Sequence, residues 1–202
     1  AMGVSAFPRR EEGSYMPAFL VSKGQGETLG HMMGIPVYEF SHQENHILAA
    51  VRKQGGPLDQ PFFSLHLSGG TTELLYCQPQ GSGIMETELI GGTMDLHGGQ
   101  FVDRVGVALG LHFPTGAELD RLSQVGEGYD PLPGSVKEGR ISFGGPCSEA
   151  LRRIERAQLE TMTAGEKEAF QGAMGRAVFH AMATSLEKML AYNLEKQPVK
   201  YL

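Results

Sequence analysis

The sequence lacks several features that would place it in a familiar protein class. Two cysteines, Cys77 and Cys147, occur among 202 residues without Cys-x-x-Cys spacing, which excludes a disulfide scaffold and predicts buried thiols in a reducing compartment. The longest apolar runs, such as 16–21, are far shorter than a membrane span, and no basic and apolar leader precedes them. We therefore expect a cytoplasmic protein that makes no membrane contact.

Positive charge is also scarce. Seventeen Lys and Arg stand against 23 Asp and Glu, so the formal net charge of -6 gives the chain no general attraction for a polyanion. Any nucleic-acid partner would need a local basic patch or another subunit. The P-loop, Gly-x-Gly-x-x-Gly and Gly-x-Ser-x-Gly patterns are absent too, which leaves P-loop nucleotide binding, dinucleotide binding and a serine elbow without support.

Glycine is abundant, with 28 residues that gather in short clusters rather than in one linker. Paired glycines at separate junctions are typical of turns where backbone approaches a ligand. Both ends of the chain suggest a fragment of a longer protein. Ala1-Met2 is typical of a tag remnant before a start methionine, and residues 198–202 have the composition of a strand that has just begun.

Hydrophobic periodicity predicts alternating strands and helices. Strands are expected at 35–40, 63–67, 74–76, 86–90 and 141–143, and a surface loop at 126–139. Helices are expected from Ser41 as N-cap to 53, through Phe101, Val105 and Leu109, from Pro114, over 149–159 and over 164–195. The last helix carries an apolar stripe that we assign to core packing: Phe170, Met174, Val178, Met182, Leu186 and Met189.

His42 and His46 are the strongest metal candidates, because residues four apart on a helix differ by about 40° in direction and can converge on one ion. In the zinc-protease motif the catalytic glutamate directly follows the first histidine. Here that position is Gln43, and the acid, Glu44, lies about 100° further round the helix. Two imidazoles are an incomplete shell for zinc. A chance pair of surface histidines therefore remains open from spacing alone.

The segment Ser68-Gly69-Gly70-Thr71 lies between two strands and predicts a hairpin turn. Its successive backbone N–H groups could form a concave anion site for a phosphate, or the turn could bind nothing. Asp103 stands two residues after Phe101 and points away from the apolar stripe. A solvated charge pair with Arg104 is the default expectation at such a position.

These elements, taken in order, resemble the TsaD family, also called the Gcp or glycoprotease family, which makes threonylcarbamoyladenosine in tRNA. The resemblance begins at Gly13 and runs to the C-terminus. His42-Gln43-Glu44-Asn45-His46 is similar to the family's His-x-x-x-His metal motif, and Leu67-Ser68-Gly69-Gly70-Thr71 to its nucleotide loop. Phe101-Val102-Asp103-Arg104 and the turn 110–116 resemble its Phe-Asp-Lys stretch and the following glycine turn, at the same interval.

The resemblance implies an α/β chain of the actin-like (ribonuclease H-like) ATPase fold, here an incomplete two-lobe fragment. Residues 1–130 would be the remainder of the first lobe, and residues 131–202 the truncated start of a second, mainly helical part. His42 and His46 would bind a divalent metal, iron or zinc. An ATP-derived adenylate would lie against the following residues: Leu67, Ser68, Gly69, Gly70, Thr71, Asp103 and Gly116. No residue is implied as a covalent nucleophile, so no catalytic residue is named.

The implied activity is metal-assisted transfer of threonylcarbamoyl from its adenylate to a tRNA adenosine, by an acyltransferase whose fragment alone is expected to be inactive. Partner proteins would present the tRNA, and a TsaB-like paralogue or a second copy would form a dimer. We expect a dimer or larger, because truncation should leave the stripe of the last helix uncovered.

Four departures from the family pattern keep a non-catalytic paralogue open, acting as a nucleotide-binding or dimerisation platform. Thr71 replaces His, Gln100 replaces Glu, Thr115 replaces Gly, and 143–148 lacks the family's lysine. A remote third interpretation, from the old family name, is an O-sialoglycoprotein endopeptidase.

Overall fold

The computed structural model describes residues 1–56, 59–80, 85–125 and 128–202. The chain is a mixed α/β protein. Its strands are β1 (Met2–Phe7), β2 (Val37–Ser41), β3 (Phe62–Leu67), β4 (Thr72–Pro79), β5 (Met85–Thr93), β6 (Ser135–Lys137) and β7 (Arg140–Ser142). Its helices are α1 (Pro17–Met33), α2 (His42–Gln54), α3 (Gly98–Ala108), α4 (Gly116–Ser123), α5 (Gly144–Ala157) and α6 (Ala164–Lys196), with a 3₁₀ turn at Leu159–Thr161.

The strands form two sheets. β1 and β2 pair in parallel, as expected of strands joined through a crossover helix, here α1. The second sheet has the order β3-β4-β5-β7-β6, with β5 and β7 parallel and β6 and β7 antiparallel. This mixed sheet agrees with the predicted α/β class.

The chain divides into two compact units. Unit 1 comprises Ala1–Ser64, Tyr76–Glu88 and Tyr201, and unit 2 comprises Leu65–Leu75, Leu89–Lys200 and Leu202. Unit 2 contains residues on both sides of position 130, so this division differs from the expected one. The expected division concerns the two lobes of the longer family fold and stays a prediction.

Helix α1 packs on the two-stranded sheet of unit 1 through glycine. Gly26 and Gly30 are its buried residues, and a β-carbon at either position would overlap the side chain of Val4 or Val37. The large apolar residues of this helix lie outside instead, and Met32 is 78% exposed. The usual amphipathic pattern is therefore inverted, which explains why periodicity predicted no helix here.

Unit 2 is organised around α6. This helix packs against α3, α4, α5, β6 and β7, and it buries Met174, Val178 and Met189. Phe170, Met182 and Leu186 are half-buried. The core assignment is confirmed for the three buried residues, and the expectation that truncation leaves the stripe uncovered is wrong.

Several predicted boundaries change. The helix expected from Pro114 begins at Gly116, and the helix expected from 149 begins at Gly144. Strand β5 extends to Thr93, so Gly91 and Gly92 lie within a strand rather than in a turn. The predicted loop contains β6, and its residues 126–127 lie outside the described residues. Residues 198–202 are not a strand, although Phe63 donates a backbone hydrogen bond to the carbonyl of Tyr201.

Both cysteines are buried and form no disulfide, as the sequence predicts. Burial raises the pKa of Cys77 to about 12, so its thiol stays protonated. None of the helices in the described part of the chain combines the length and apolarity needed to cross a bilayer.

Candidate functional site

The two candidate histidines lie on the first turns of α2, in unit 1. Ser41 is the N-cap: its hydroxyl accepts the Glu44 N–H at 3.0 Å, and the Glu44 carboxylate accepts the Ser41 N–H at 2.7 Å. This reciprocal capping box fixes the start of the helix at His42. Both imidazoles are exposed, and their Nε2 atoms lie 3.0 Å apart.

The separation of the two ring nitrogens fits a shared metal ion. Two nitrogens at about 2.1 Å from one ion lie about 3.0 Å apart at the right angle of an octahedral site and about 3.4 Å apart at the tetrahedral angle of zinc. Convergence of His42 and His46 is what their spacing predicts, and their role as ligands stays a prediction. Across the described residues, no cluster of three or more His, Cys, Asp or Glu is placed to hold an ion.

Glu44, the acid inside the histidine motif, is 1% exposed and bonded to both Ser41 and Arg10. Its carboxylate serves the helix cap and an ion pair. Because it is buried while the histidines are exposed, it is not placed as a general base beside them. This agrees with the sequence argument against a protease role.

The segment Ser68–Thr71 of unit 2 is a turn between β3 and β4, as predicted. The Ser68 N–H donates to the Thr71 carbonyl at 2.8 Å, and the Gly70 N–H donates to the Ser68 hydroxyl at 3.3 Å. The N–H groups of Ser68 and Gly70 are therefore hydrogen-bonded within the turn, although both were among the backbone N–H groups considered for an anion site. Leu67, Ser68, Gly69 and Gly70 are exposed, and Thr71 is half-buried.

The N-terminus of α3 supports this turn. Gly98 donates its N–H to the Thr72 hydroxyl at 2.8 Å, and Gly99 donates to the Ser68 carbonyl at 3.3 Å. A β-carbon on Gly99 would lie 2.5 Å from Gly69 Cα, so the two backbones meet where a side chain does not fit. The positive end of the α3 dipole therefore lies beneath the turn.

Asp103 holds the start of α4 in place. Its Oδ1 atom accepts the Thr115 N–H at 2.8 Å and the Thr115 hydroxyl at 3.1 Å, and Gly116 follows as the first residue of α4. The expected solvated pair with Arg104 is wrong, because the Asp103 carboxylate is half-buried against Thr115. The structure thus brings the candidates Asp103 and Gly116 together, although they are thirteen positions apart.

A pocket of about 480 Å³ opens beside Asp103. Phe113 is 75% exposed at this pocket, and Arg104 adds a cationic group. Aromatic, cationic and carboxylate groups together suit a nucleoside with a phosphate. The lining residues are Gln100, Asp103, Arg104, Val107, Phe113 and Leu151.

Two departures from the family pattern have local explanations. Gln100 Oε1 accepts the His97 N–H at 3.2 Å at the start of α3, a capping role that Glu and Gln share. Thr115 is fully buried, and its hydroxyl shares one proton between the Val102 carbonyl at 3.3 Å and Asp103 Oδ1 at 3.1 Å. Cys147, in the segment 143–148 that lacks the family's lysine, is buried, and that burial raises its pKa despite the charge of Arg104. A neutral thiol carries no positive charge.

Sequence reasoning missed Asp95, whose carboxylate caps α5 from a distant loop. It accepts hydrogen bonds from the Ser142 hydroxyl at 2.6 Å and from the N–H groups of Leu96, Phe143 and Gly144. Partial burial by itself raises the pKa of Asp95, but these hydrogen bonds outweigh it and lower the pKa below its ordinary value of 3.8. No local pattern signals this residue, because Ser142 lies 47 positions further along the chain.

Asp95→Asn is expected to reduce the free energy of unfolding by about 1 kcal/mol at neutral pH, since charge-assisted hydrogen bonds to a helix N-terminus are lost but solvent around this exposed residue weakens them. A carboxylate whose pKa is lowered by folding stabilises above its unfolded pKa. Its contribution disappears as the pH falls through the folded value. Urea unfolding between pH 7 and pH 2.5 should therefore show the two proteins converging in acid. Asp130→Asn, at an exposed aspartate, is the control, and a constant difference at every pH would contradict this assignment.

Comparison with known proteins identifies the family. The model of the TsaD family, described as tRNA N6-adenosine threonylcarbamoyltransferase, matches residues 13–202. A protein with that name from Lacticaseibacillus casei is 34% identical over 143 residues, 69% of this chain and 40% of the relative. One from Streptococcus pneumoniae is 30% identical over 188 residues, 92% of this chain and 53% of the relative.

An α/β chain with a paired-histidine helix and a glycine hairpin is thus similar, over almost its whole length, to transferases acting on tRNA. It belongs to the TsaD family. The chain spans about half the length of the curated relatives that it matches.

Proposed function

We propose that this chain belongs to a tRNA N6-adenosine threonylcarbamoyltransferase of the actin-like ATPase fold, active in the cytoplasm. The family match over residues 13–202 carries the proposal. The adenosine amino nitrogen would bond to the threonylcarbamoyl carbonyl carbon, the bond from that carbon to the AMP phosphate oxygen would break to release AMP, and the nitrogen would lose a proton to water. No side chain is needed as a covalent nucleophile.

In this proposal His42 and His46 hold iron or zinc, which supplies Lewis-acid stabilisation of an oxygen when bound. The chain's own residues bind and orient the adenylate. The turn Leu67–Thr71 would contact its phosphate end, and Asp103 and Gly116 its sugar and base end. The pocket beside Asp103 supports this assignment, since Phe113 offers a stacking surface for a purine.

The proposed metal site can be tested with zinc alone. Calorimetric titration of the 202-residue chain should show zinc binding that weakens at least tenfold in His42→Asn and in His46→Asn, because one imidazole is a much poorer ligand than two. His180→Asn is the control, since His180 lies on α6 in unit 2. Unchanged zinc affinity in both variants would reject the metal assignment.

The transferase activity can be tested separately. Threonylcarbamoyl-adenylate and an unmodified tRNA would be incubated with the complete protein, and the modified nucleoside measured by mass spectrometry. Product formation supports the enzyme. Adenylate binding without product favours the second candidate, a non-catalytic platform. That candidate is supported by the segment 143–148, which lacks the family's lysine and in which Cys147 is a buried neutral thiol.

A partner surface is part of the proposal. Val21, Gln25, Thr28 and Met32 recur along one face of α1 and are all exposed, and no residue of this stripe is charged. Solvated helix faces normally carry charge. We assign this face to a TsaB-like paralogue or to a second copy, and tRNA would be presented by further partner proteins.

Association through α1 predicts a concentration-dependent mass. Sedimentation should show the native chain associating at high concentration, and Met32→Glu should weaken that association about tenfold by adding a charge to the apolar face. Leu194→Glu, which places the same charge on an exposed apolar site of α6, is the control. A monomer at every concentration would leave the paralogue as the remaining partner.

A further inference from the structure

An ion pair between the half-exposed Arg10 and the buried Glu44 ties the start of the histidine helix to the loop between β1 and α1. The Arg10 guanidinium reaches both oxygens of Glu44, from Nε at 3.2 Å and from Nη2 at 3.1 Å. Glu44 is 1% exposed, whereas the Arg10 side chain is 41% exposed. Paired hydrogen bonds of this kind fix direction as well as distance.

The same loop makes a second contact with the helix start. The Pro8 carbonyl accepts the Gln43 N–H at 3.1 Å, and Arg10 Nη2 also donates to the Glu39 carbonyl at 3.3 Å on β2. Pro8, Arg10, Ser41 and Glu44 therefore hold the first turn of α2 from two sides. We call this group the helix bracket.

The bracket acts on the backbone that carries His42 and His46. His42 is the first residue of α2, and Glu44 lies between the two histidines on the following turn. A first helical turn normally frays, because its N–H groups lack partners within the helix. Here the Gln43 and Glu44 N–H groups have partners outside it, so the backbone that carries the two imidazoles is held without an ion.

We propose that Glu44, clamped by Arg10, is a positioning residue that preorganises the His42–His46 pair for a divalent cation. This inference rests on the proposed metal site. In this role Glu44 orients the ligands His42 and His46 but does not itself contact the ion. Groups that orient metal ligands typically change metal affinity 10- to 100-fold when removed.

The test is zinc titration of the 202-residue chain and four variants, with thermal unfolding measured in parallel. Glu44→Gln keeps an acceptor for the Ser41 N–H but loses the ion pair, and zinc affinity should fall about tenfold. Arg10→Gln alone would leave a buried charge unpaired, so the double variant Arg10→Gln/Glu44→Gln is used to remove both charges. It should unfold at nearly the native temperature and still bind zinc about tenfold more weakly.

Glu149→Gln is the matched control, because the Glu149 carboxylate forms an ion pair with the Arg153 guanidinium at 3.0 Å on α5. Its zinc affinity should equal that of the native chain. His42→Asn completes the set. If it weakens zinc binding while the folded double variant binds like the native chain, the metal site stands and the positioning role is overturned. If His42→Asn has no effect, the proposed metal site itself fails.

Should Glu44→Gln and the double variant both fail to fold, Arg10→Lys decides. It keeps the buried charge paired but replaces a two-bond contact by a point charge. A threefold or greater loss of zinc affinity in the folded variant supports the positioning role, and unchanged affinity overturns it.

Discussion

Gly99→Ala is expected to lower the free energy of unfolding by about 3 kcal/mol and to displace the turn Ser68–Thr71. The added methyl group would lie 2.5 Å from Gly69 Cα, 2.9 Å from Gly69 N and 2.9 Å from the Ser68 carbonyl oxygen. These are backbone atoms, which cannot rotate away as a side chain can. The turn must therefore move or α3 must shift, and either change costs hydrogen bonds between them.

Gly165→Ala is the matched control for this prediction. Gly165 is the second residue of α6, as Gly99 is of α3, and a β-carbon there meets no atom within 4 Å. Because alanine favours helix over glycine, this control should be neutral or slightly stabilising. Chemical denaturation of both variants gives the free energies directly. Equal stability of the two variants would mean that a methyl group at Gly99 makes no steric clash with the turn.

The consequence for ligand binding is separable from stability. At a temperature where Gly99→Ala is still folded, calorimetry with AMP should show weaker binding than in the native chain if the turn belongs to the nucleotide site. Retained affinity in a folded Gly99→Ala would remove Leu67–Thr71 from the proposed site. The proposal for His42 and His46 would not be affected, since the zinc titration tests it independently.

Local sequence signals predicted the features that depend on local geometry. The N-cap of α2 at Ser41 and the convergence of His42 and His46 follow from residues within six positions of one another. The glycine turn between β3 and β4 likewise follows from a short glycine pair bounded by alternating residues. In each case the interacting groups are neighbours in the chain, so periodicity and capping rules suffice.

Contacts between distant segments could not be predicted in the same way. Asp95 receives three of its hydrogen bonds from residues 142–144, and Arg10 contacts Glu44 across 34 positions. In neither contact does the sequence around one residue indicate which distant residue it will meet. The role of Asp103 as a ligand contact stays a prediction, and its contact with Thr115 depends on how α3 and α4 pack.

Helix α1 escaped detection for a different reason. Periodicity analysis assumes that large apolar residues face the core, whereas here Gly26 and Gly30 face it and Val21 and Met32 are exposed. Glycine also has a poor helix propensity, which weakens the signal further. The same inversion that hides the helix gives it close packing on the sheet and an uncharged outer face.

This inversion predicts opposite effects from one substitution within a single helix. Gly26→Ala and Gly30→Ala should each destabilise the chain by about 2 kcal/mol, and by about 4 kcal/mol together, because each methyl group would overlap a valine of β1 or β2. Neither valine has a long flexible end that could move aside. The helix must lift from the sheet, which exposes Val4 and Val37.

Gly24→Ala is the control in the same helix. A β-carbon on Gly24 meets no atom within 4 Å, so the gain in helix propensity of up to about 1 kcal/mol should appear as increased stability. Urea unfolding of the three single variants and of the Gly26/Gly30 double variant measures the contrast. If all three single variants change the free energy of unfolding equally, the helix propensity of glycine rather than close packing determines the stability of α1. The proposed inverted packing of this helix would then be rejected.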